Sequence, residues 1–230
     1  MIVQLSKELY VQLNGDASLY FPKQHLLVIA DLHAGKAMHF RKNGLPIPLT
    51  KHDQESFLNA IRKHQDLKPE AVLKLILLGD NLHSFSNLES NQLFEKLYAF
   101  SNLENILIVG NHDVMSLDVQ ELWGEVVAFY QFENLIFLHG DTLAVEEVGM
   151  NSIIETGEEE VFLFCGHLHP AVGFKLDGQN LRFPAFVFHE KARQFFVPAF
   201  GDFKGNMLFK RERYPNFRFY PIVNGRVVAI

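Results

Sequence analysis

The hydrophobic positions of this chain fall into short apolar runs, and a polar cluster containing Asp, Asn or His follows each run at once. Short apolar runs bounded by glycine and polar residues are typical of buried β-strands. The pattern predicts five such strands, at residues 26–30, 72–78, 106–109, 135–138 and 161–165.

Helical patterns lie between these runs. Thr50 is the expected N-cap of a helix, with Asp53 at the capping-box spacing and an apolar face that begins at Phe57. A second helical pattern covers residues 88–100. Strands that alternate with helices predict a sheet with helices outside it.

The last third of the chain has a different pattern. Residues 172–196 and 217–230 alternate short β-prone runs with turns such as Asp177-Gly178 and Asn224-Gly225. This alternation favours a second, more antiparallel sheet. Two stacked sheets with flanking helices would account for the whole pattern and define an α/β protein.

Composition narrows the class of protein. The chain has 230 residues, of which 48% are hydrophobic and 21% charged, and these values exclude a disordered chain and suit one domain over residues 1–230. No apolar run reaches the roughly 18 residues of a membrane helix, and the N-terminus lacks a signal-peptide pattern. Cys165, the single cysteine, allows neither an internal disulfide nor a cysteine-built zinc site. We therefore expect a cytoplasmic protein without a membrane partner.

Charge is unevenly distributed along the chain. Residues 1–170 hold 11 Lys and Arg against 23 Asp and Glu, whereas residues 171–230 hold 10 against 4. The basic end is suited to a polyanion and the acidic part to metal cations. A solvated surface with chance asymmetry explains the same numbers equally well.

The polar clusters after the five runs offer metal-binding side chains. In an α/β sheet, the loops beyond the carboxyl ends of the strands converge on one face. Imidazole, carboxylate and amide groups together suit cations such as Mn²⁺, Fe²⁺ or Zn²⁺. Seven donors exceed one tetrahedral site and suit two metals that share a bridging carboxylate. The candidates are Asp31, His33, Asp80, Asn111, His139, His167 and His169.

Each cluster alone is weak evidence. An Asp and a His two residues apart, as at Asp31 and His33, occur together by chance more often than as metal ligands. A histidine at a strand end, such as His139, more often makes hydrogen bonds within the protein than binds a metal. His167 and His169 would lie on the same side of an extended chain, because the side-chain period of a strand is two. The string Gly110-Asn111-His112-Asp113 is more specific, because it seldom occurs by chance. The occurrence of all five clusters in this order argues strongly against a chance arrangement.

That ordered set resembles the signature of the calcineurin-like metallophosphoesterases. The family pattern runs D-x-H, GD-x-x-D/H, GNH-D/E, H and GH-x-H, and all five parts occur in that order within about residues 25–200. The second part ends in His83 where many members have Asp, so the role of position 83 stays open. The resemblance implies a four-layer α/β/β/α sandwich of the metallo-dependent phosphatase type.

The resemblance also implies roles for the candidate residues. Asp31, His33 and His169 would hold one metal ion, a second ion would be held by Asn111, His139 and His167, and Asp80 would bridge the two. His112 would protonate the leaving oxygen or stabilise its charge. Asp113 is placed to orient that imidazole, although a helix N-terminal acid is an equally good interpretation.

A narrower resemblance comes from residues 30–36, 40–41, 44–48, 79–84 and 166–170. They are similar to a bacterial subgroup, the ligase-associated DNA-damage-response metallophosphoesterases, which are described as endonucleases. Lys36 and Arg41, in the stretch that runs to Pro48, would belong to a loop that contacts a phosphodiester backbone. An ordinary surface loop is the alternative.

The function expected from the resemblance is hydrolysis of phosphodiester bonds by a hydroxide that two divalent metal ions activate, with DNA as a candidate substrate. Mn²⁺ is the expected ion, and Fe, Zn and Ni are alternatives. DNA-repair helicases or ligases are expected partners through the subgroup. The rival activities are those of a small-molecule phosphatase or a cyclic nucleotide phosphodiesterase. A non-catalytic metal-binding scaffold is a third class, disfavoured because His112 and all seven ligand candidates are present.

Overall fold

Two mixed β-sheets stack face to face in the computed structural model of this protein. The structure describes residues 1–45, 52–81, 88–113, 124–140, 160–176, 178–200 and 207–230. The two sheets and their helices confirm the predicted α/β class.

The first sheet has seven strands in chain order, β1 to β7. Strands β1 to β4 pair antiparallel with their neighbours, and β4 to β7 pair parallel. Its strands are Ile2–Gln4, Tyr10–Leu13, Leu19–Phe21, Leu26–Ala30, Leu73–Leu78, Leu103–Ile108 and Glu125–Val127.

The second sheet has nine strands, β8 to β16. Seven of them lie in the order β14-β11-β12-β13-β10-β9-β8, while β15 pairs with β12 and with β16. Strands β9, β10 and β13 are parallel to one another. The strands are Phe129–Phe132, Leu135–Leu138, Phe162–Cys165, Pro170–Leu176, Gln179–His189, Gln194–Phe196, Met207–Phe209, Phe217–Val223 and Arg226–Val227.

The five predicted strands correspond to β4, β5, β6, β9 and β10, and each of them lies within three residues of the predicted bounds. The turn predicted at Asn224-Gly225 joins β15 to β16, with positive φ at both residues. Strands β1 to β3 were not predicted, because runs of three or four residues are too short to show a periodic pattern.

The space between the two sheets is filled by apolar side chains from both. Val28 and Ile76 of the first sheet belong to the same buried cluster as Phe137 and Phe164 of the second. The ring of Phe164 stacks on that of Phe137 at a centroid distance of 5.3 Å. Fully buried aromatic side chains contribute much of the hydrophobic stabilisation of a core, so this layer holds the two sheets against each other.

Helices cover the outer face of the first sheet. The helices are α1 at Lys36–Lys42, α2 at His52–Gln65 and α3 at Leu88–Leu97. Phe57 of α2 and Leu93 of α3 pack against Ile29 and Leu77 of the sheet. The expected N-cap, Thr50, and the segment 141–159 between β9 and β10 lie outside the described residues.

Candidate metal centre

The polar clusters predicted at the strand ends lie at one edge of the two stacked sheets. Strands β4, β5 and β6 run parallel in the first sheet, and β9 and β10 run parallel in the second. Their carboxyl ends therefore deliver the residues that follow them to a shared region. The apolar layer between the sheets holds the two sets of loops against each other.

Six of the seven ligand candidates form two compact groups. The ligand atoms of Asp31, His33 and His169 lie within 4.8 Å of one another. The ligand atoms of Asp80, His139 and His167 meet the same limit. The first group contains the three residues that the family resemblance assigns to one ion. The second contains His139 and His167 of the other ion together with Asp80, which was expected to bridge the two.

The two groups touch each other through His139. Its Nε2 lies 3.1 Å from Oδ1 of Asp31 and 3.5 Å from Oδ2 of Asp80. One imidazole therefore lies between two carboxylates. Burial lowers the pKa of His139, but the hydrogen bond to Asp31 and the charges of the nearby carboxylates outweigh burial and raise the pKa.

Asp31 is the most buried carboxylate of the centre, with no solvent exposure. Burial alone would raise the pKa of its carboxyl, but hydrogen bonds and charge from His139 and His169 lower that pKa to about 2. The backbone N–H of His167 also donates to both carboxylate oxygens, at 3.2 and 3.1 Å. Asp31 is therefore held as an anion although its side chain is fully buried.

The second buried carboxylate, Asp80, is fixed by the turn that follows β6. The backbone N–H of His112 donates to Oδ1 of Asp80 at 2.8 Å. In the same turn, Oδ2 of Asp113 accepts from the backbone N–H of Gly110 at 2.8 Å. The carboxylate of Asp113 thus braces the turn backbone that positions Asp80.

Three glycines that directly precede candidate ligands make room for the cluster. A Cβ on Gly79 would lie 2.0 Å from the His139 ring, and one on Gly110 would lie 2.3 Å from Oδ1 of Asp80. A Cβ on Gly166 would lie 2.7 Å from the carbonyl oxygen of Leu78. Real Cβ atoms do not approach this closely, so the two carboxylates and His139 fit only because these residues are glycines.

Five candidate ligands have left-handed backbone conformations. The φ angles of Asp31, His33, Asp80, His167 and His169 lie between +45° and +77°. Such conformations cost about 1–3 kcal/mol each in non-glycine residues and concentrate at functional sites. The sequence contains no signal for this strain, because these residue types also occur in relaxed turns.

These conformations correct one prediction. His167 and His169 were expected to lie on the same side of an extended chain, but φ values of 77° and 45° place both in a tight connection between β10 and β11. Their side chains consequently reach different groups, His167 that of Asp80 and His169 that of Asp31. The period-two argument holds only within a strand, and β10 ends at Cys165.

A cleft of about 340 Å³ opens over the two groups. Lys36 and His112 line it, and Leu168 and Met207 complete its wall. Four of the candidate ligands also line it: His33, Asp80, His167 and His169. Burial lowers the pKa of Lys36, while the charges of Asp80 and Asp31 act in the opposite direction. Sequence reasoning missed Leu168 and Met207, because nothing distinguishes them from ordinary apolar residues.

The segment from Lys36 to Arg41 was expected to form a loop, and this was wrong. Residues 36–42 form helix α1, since the stretch between Gly35 and Gly44 holds neither glycine nor proline. The helix ends in a Schellman motif, in which Gly44 has a φ of +82° and donates to the carbonyl of Arg41. Among the described lining residues of the cleft, Lys36 is present and Arg41 is not.

Asn111 is exposed in the turn that follows β6, next to His112 at the cleft. His83 and Pro46 to Pro48 lie outside the described residues.

The donor set fits divalent cations. Carboxylate and imidazole ligands suit Mn²⁺, Fe²⁺ and Zn²⁺, and the two buried carboxylates, Asp31 and Asp80, both lie beside the ring of His139. Two anions this close in a buried site also require positive charge to balance them.

A family model for the calcineurin-like phosphoesterases matches residues 25–183. The chain belongs to this family. It is therefore a metal-dependent phosphoester hydrolase, as the resemblance implied. No curated protein matches the chain by sequence.

Among solved structures, the chain is similar to a nuclease, MPE, from Pseudomonas putida. The TM-score is 0.70 at 22% identity, and the match covers 100% of this chain and 99% of the nuclease. A Zn²⁺ complex of Vps29 from Entamoeba histolytica matches with a TM-score of 0.35 at 12% identity, over 89% of this chain and 96% of that one. The first likeness shows that the two proteins share a fold.

Within the described part of the chain, no helix is both long and apolar enough to cross a membrane.

Proposed function

We propose that this phosphoesterase hydrolyses phosphodiester bonds with two divalent cations held at the described cluster. The observation that carries the proposal is the position of His139, with Nε2 at 3.1 Å from Asp31 and 3.5 Å from Asp80. One side chain that reaches both carboxylates means that the two groups are adjacent. Two cations in these groups would be close enough to act on one phosphate, since such pairs lie about 3.5–4 Å apart.

The ligand assignment follows the two groups. Asp31, His33 and His169 would hold one cation, and the other would be held by His139, His167 and Asn111. Asp80 would bridge them, because its buried carboxylate lies 3.5 Å from the His139 Nε2 that also contacts Asp31 of the other group. Mn²⁺ is the proposed ion, and Fe, Zn and Ni are the alternatives that the same donors accept.

When bound, such a cation pair supplies an activated water nucleophile and neutralises charge on the phosphoryl oxygens. The residues of the chain supply the rest. The exposed imidazole of His112 would donate a proton to the leaving oxygen, and its backbone N–H holds Asp80 at the same time. The ammonium group of Lys36, half-buried in the cleft, would attract the phosphate. Asp113 would act by bracing the turn that carries His112.

The proposed substrate is a nucleic-acid strand, with DNA as the first candidate. The full-length likeness to a nuclease fold supports this choice, as do the subgroup motifs around Lys36 and His169. A role in DNA repair, a cytoplasmic location and DNA-repair helicase or ligase partners are part of the same proposal. A small-molecule phosphatase or cyclic nucleotide phosphodiesterase is the alternative, and a scaffold is the third.

A metal-supplemented assay tests the proposal. The metal-free protein is given Mn²⁺, Zn²⁺, Fe²⁺ or Ni²⁺ and assayed on bis-p-nitrophenyl phosphate, p-nitrophenyl phosphate, cyclic nucleotides, and single- and double-stranded DNA. We expect hydrolysis of the diester and of DNA, and none by Asp80→Asn. Hydrolysis of the monoester or of cyclic nucleotides alone would favour the small-molecule alternative. Metal binding without any turnover would favour the scaffold.

A further inference from the structure

A basic cleft lies at the outer edge of the second sheet, apart from the metal centre. It has a volume of about 360 Å³ and is lined by strands β11 and β12, the end of β14 and the residues that follow it. Four cationic side chains and one carboxylate, that of Glu212, belong to the lining. The cations are Lys175, Arg182, Lys210 and Arg211, all of them exposed.

Gly173 lies in the wall of this cleft, beside the side chain of Leu208. In the antiparallel ladder, Gly173 lies opposite Arg182. On its other side, Lys210 directly follows Phe209, whose partner on β11 is Val172. A residue without a side chain therefore lies between two cations on neighbouring strands. An extended anionic chain could approach the sheet closely at this point.

The cations are only partly balanced within the cleft, where four cationic groups face one carboxylate. Lys175 lies opposite Asn180 and diagonal to Arg182, so two cationic residues have backbone positions about 7–8 Å apart on one face. Among the described residues no ion pair involves any of the four cations. Like charges held together at a surface are unfavourable unless an anion covers them.

The cleft is connected to the metal centre through β14. The backbone N–H of Met207, the first residue of β14, is 3.2 Å from the carbonyl oxygens of both Leu168 and His169. Met207 lines the metal cleft, and Lys210 lines the basic one. At about 3.3 Å per residue, Lys210 lies about 10 Å along the strand direction from Met207. Lys175 is about 20 Å from His169 by the same measure.

We propose that this basic cleft binds the sugar-phosphate backbone of a nucleic-acid strand whose scissile phosphate occupies the metal centre. The proposal rests on the proposed function and names its substrate as a polymer. A separation of about 10–20 Å corresponds to roughly three to six nucleotides at about 3.4 Å each. Arg182 and Lys210 lie level with Gly173, and Lys175 lies two residues farther along β11, so the cations face more than one point along a bound chain, as a row of phosphates requires.

The experiment measures binding without catalysis. A labelled DNA single strand is titrated by fluorescence anisotropy in EDTA, from ~50 to ~200 mM salt, so that no hydrolysis occurs. The test variant combines Lys175→Gln, Arg182→Gln and Lys210→Gln. The matched control combines Lys7→Gln, Lys63→Gln and Lys191→Gln, which removes the same charge from exposed positions outside the cleft.

We expect the cleft variant to lose roughly tenfold or more in affinity, and its log–log salt slope to fall by about 2, or about 0.7 for each lost phosphate contact. The control should keep the wild-type slope. Equal losses in both variants, or no binding by the wild-type protein, would overturn the proposal. Circular dichroism of both variants checks that they are folded.

Failure of the proposed function is detected separately. Hydrolysis of bis-p-nitrophenyl phosphate by the wild-type protein and by the control variant reports on the metal centre. Absence of that activity would contradict the proposed function, whereas the salt slopes would still decide whether the cleft binds DNA.

Discussion

A Cβ atom on Gly79 would lie 2.0 Å from Cδ2 of His139, so the residue before Asp80 must lack a side chain for the His139 ring to occupy its position. The contact joins the end of β5 in the first sheet to the end of β9 in the second. It therefore sets how closely the two halves of the metal centre approach.

The first prediction concerns this contact. Gly79→Ala should displace the His139 ring and lower the bound metal by about one equivalent, as measured by mass spectrometry of metal content after dialysis. Gly178→Ala is the matched control, because Gly178 has a similar φ of +77° but no atom within 4 Å of a Cβ. The control should cost only about 1–2 kcal/mol of backbone strain and keep its metals. Equal metal loss in both variants would contradict this role of Gly79.

The second prediction concerns Asp80. Asp80→Asn keeps the shape of the side chain and an oxygen that can accept from His112, but removes the negative charge between the two groups. Metal content and turnover should fall together, because a shared anion stabilises both cations. Asp66→Asn, at an exposed position, controls for the change in net charge. Full metal content with normal turnover in Asp80→Asn would exclude the bridging role.

The third prediction separates the two contributions of His112. His112→Ala removes the imidazole but keeps the backbone N–H that donates to Asp80, so the metals should remain bound. Turnover should fall by roughly 10²–10⁴-fold, the usual share of general acid catalysis. The loss should be larger for an alkyl or nucleoside ester than for a nitrophenyl ester, because a nitrophenolate leaves without a proton. Equal losses on both esters would show that the ring instead stabilises phosphoryl oxygens.

The fourth prediction concerns pH and a polar network far from the metals. His64 is fully buried and His25 nearly so, and Tyr20 contacts both: its hydroxyl is 2.8 Å from Nδ1 of His25, and its ring lies 4.3 Å from that of His64. Burial, followed by nearby cationic groups, lowers the pKa of His25; burial also lowers the pKa of His64 against a hydrogen bond to Ala60.

A lowered pKa in the folded state means that the unfolded chain binds protons first. Stability from these two histidines is therefore complete above the unfolded pKa of about 6.5 and is lost as the pH falls below it. Urea unfolding of the metal-free protein between about pH 7.5 and 5 should show this loss. His64→Gln should have a shallower pH dependence, whatever its absolute stability. An unchanged slope in that variant would remove His64 from the explanation.

The sequence by itself determined the strands that carry the site and the family. Runs such as residues 26–30 are apolar at every position because β4 is covered on both faces, by the second sheet and by α2. Polar residues directly after such runs stand out against this background. The order of five such clusters predicted seven ligands, and six of these residues lie in the two groups.

Only the tertiary structure decided how these residues are held in place. His167 and His169 are neighbours in sequence but join different groups, because both have a left-handed backbone that no local pattern indicates. Helix α1 replaced an expected loop, since helix ends depend on capping geometry at Gly44 as well as on composition. Gly79 contacts His139, which lies about 60 residues farther along the chain. Met207 at the start of β14 contacts Leu168 and His169, which precede it by about 40 residues. Sequence periodicity describes neighbours along one element, whereas these contacts arise from the packing of two sheets whose spacing the apolar core sets.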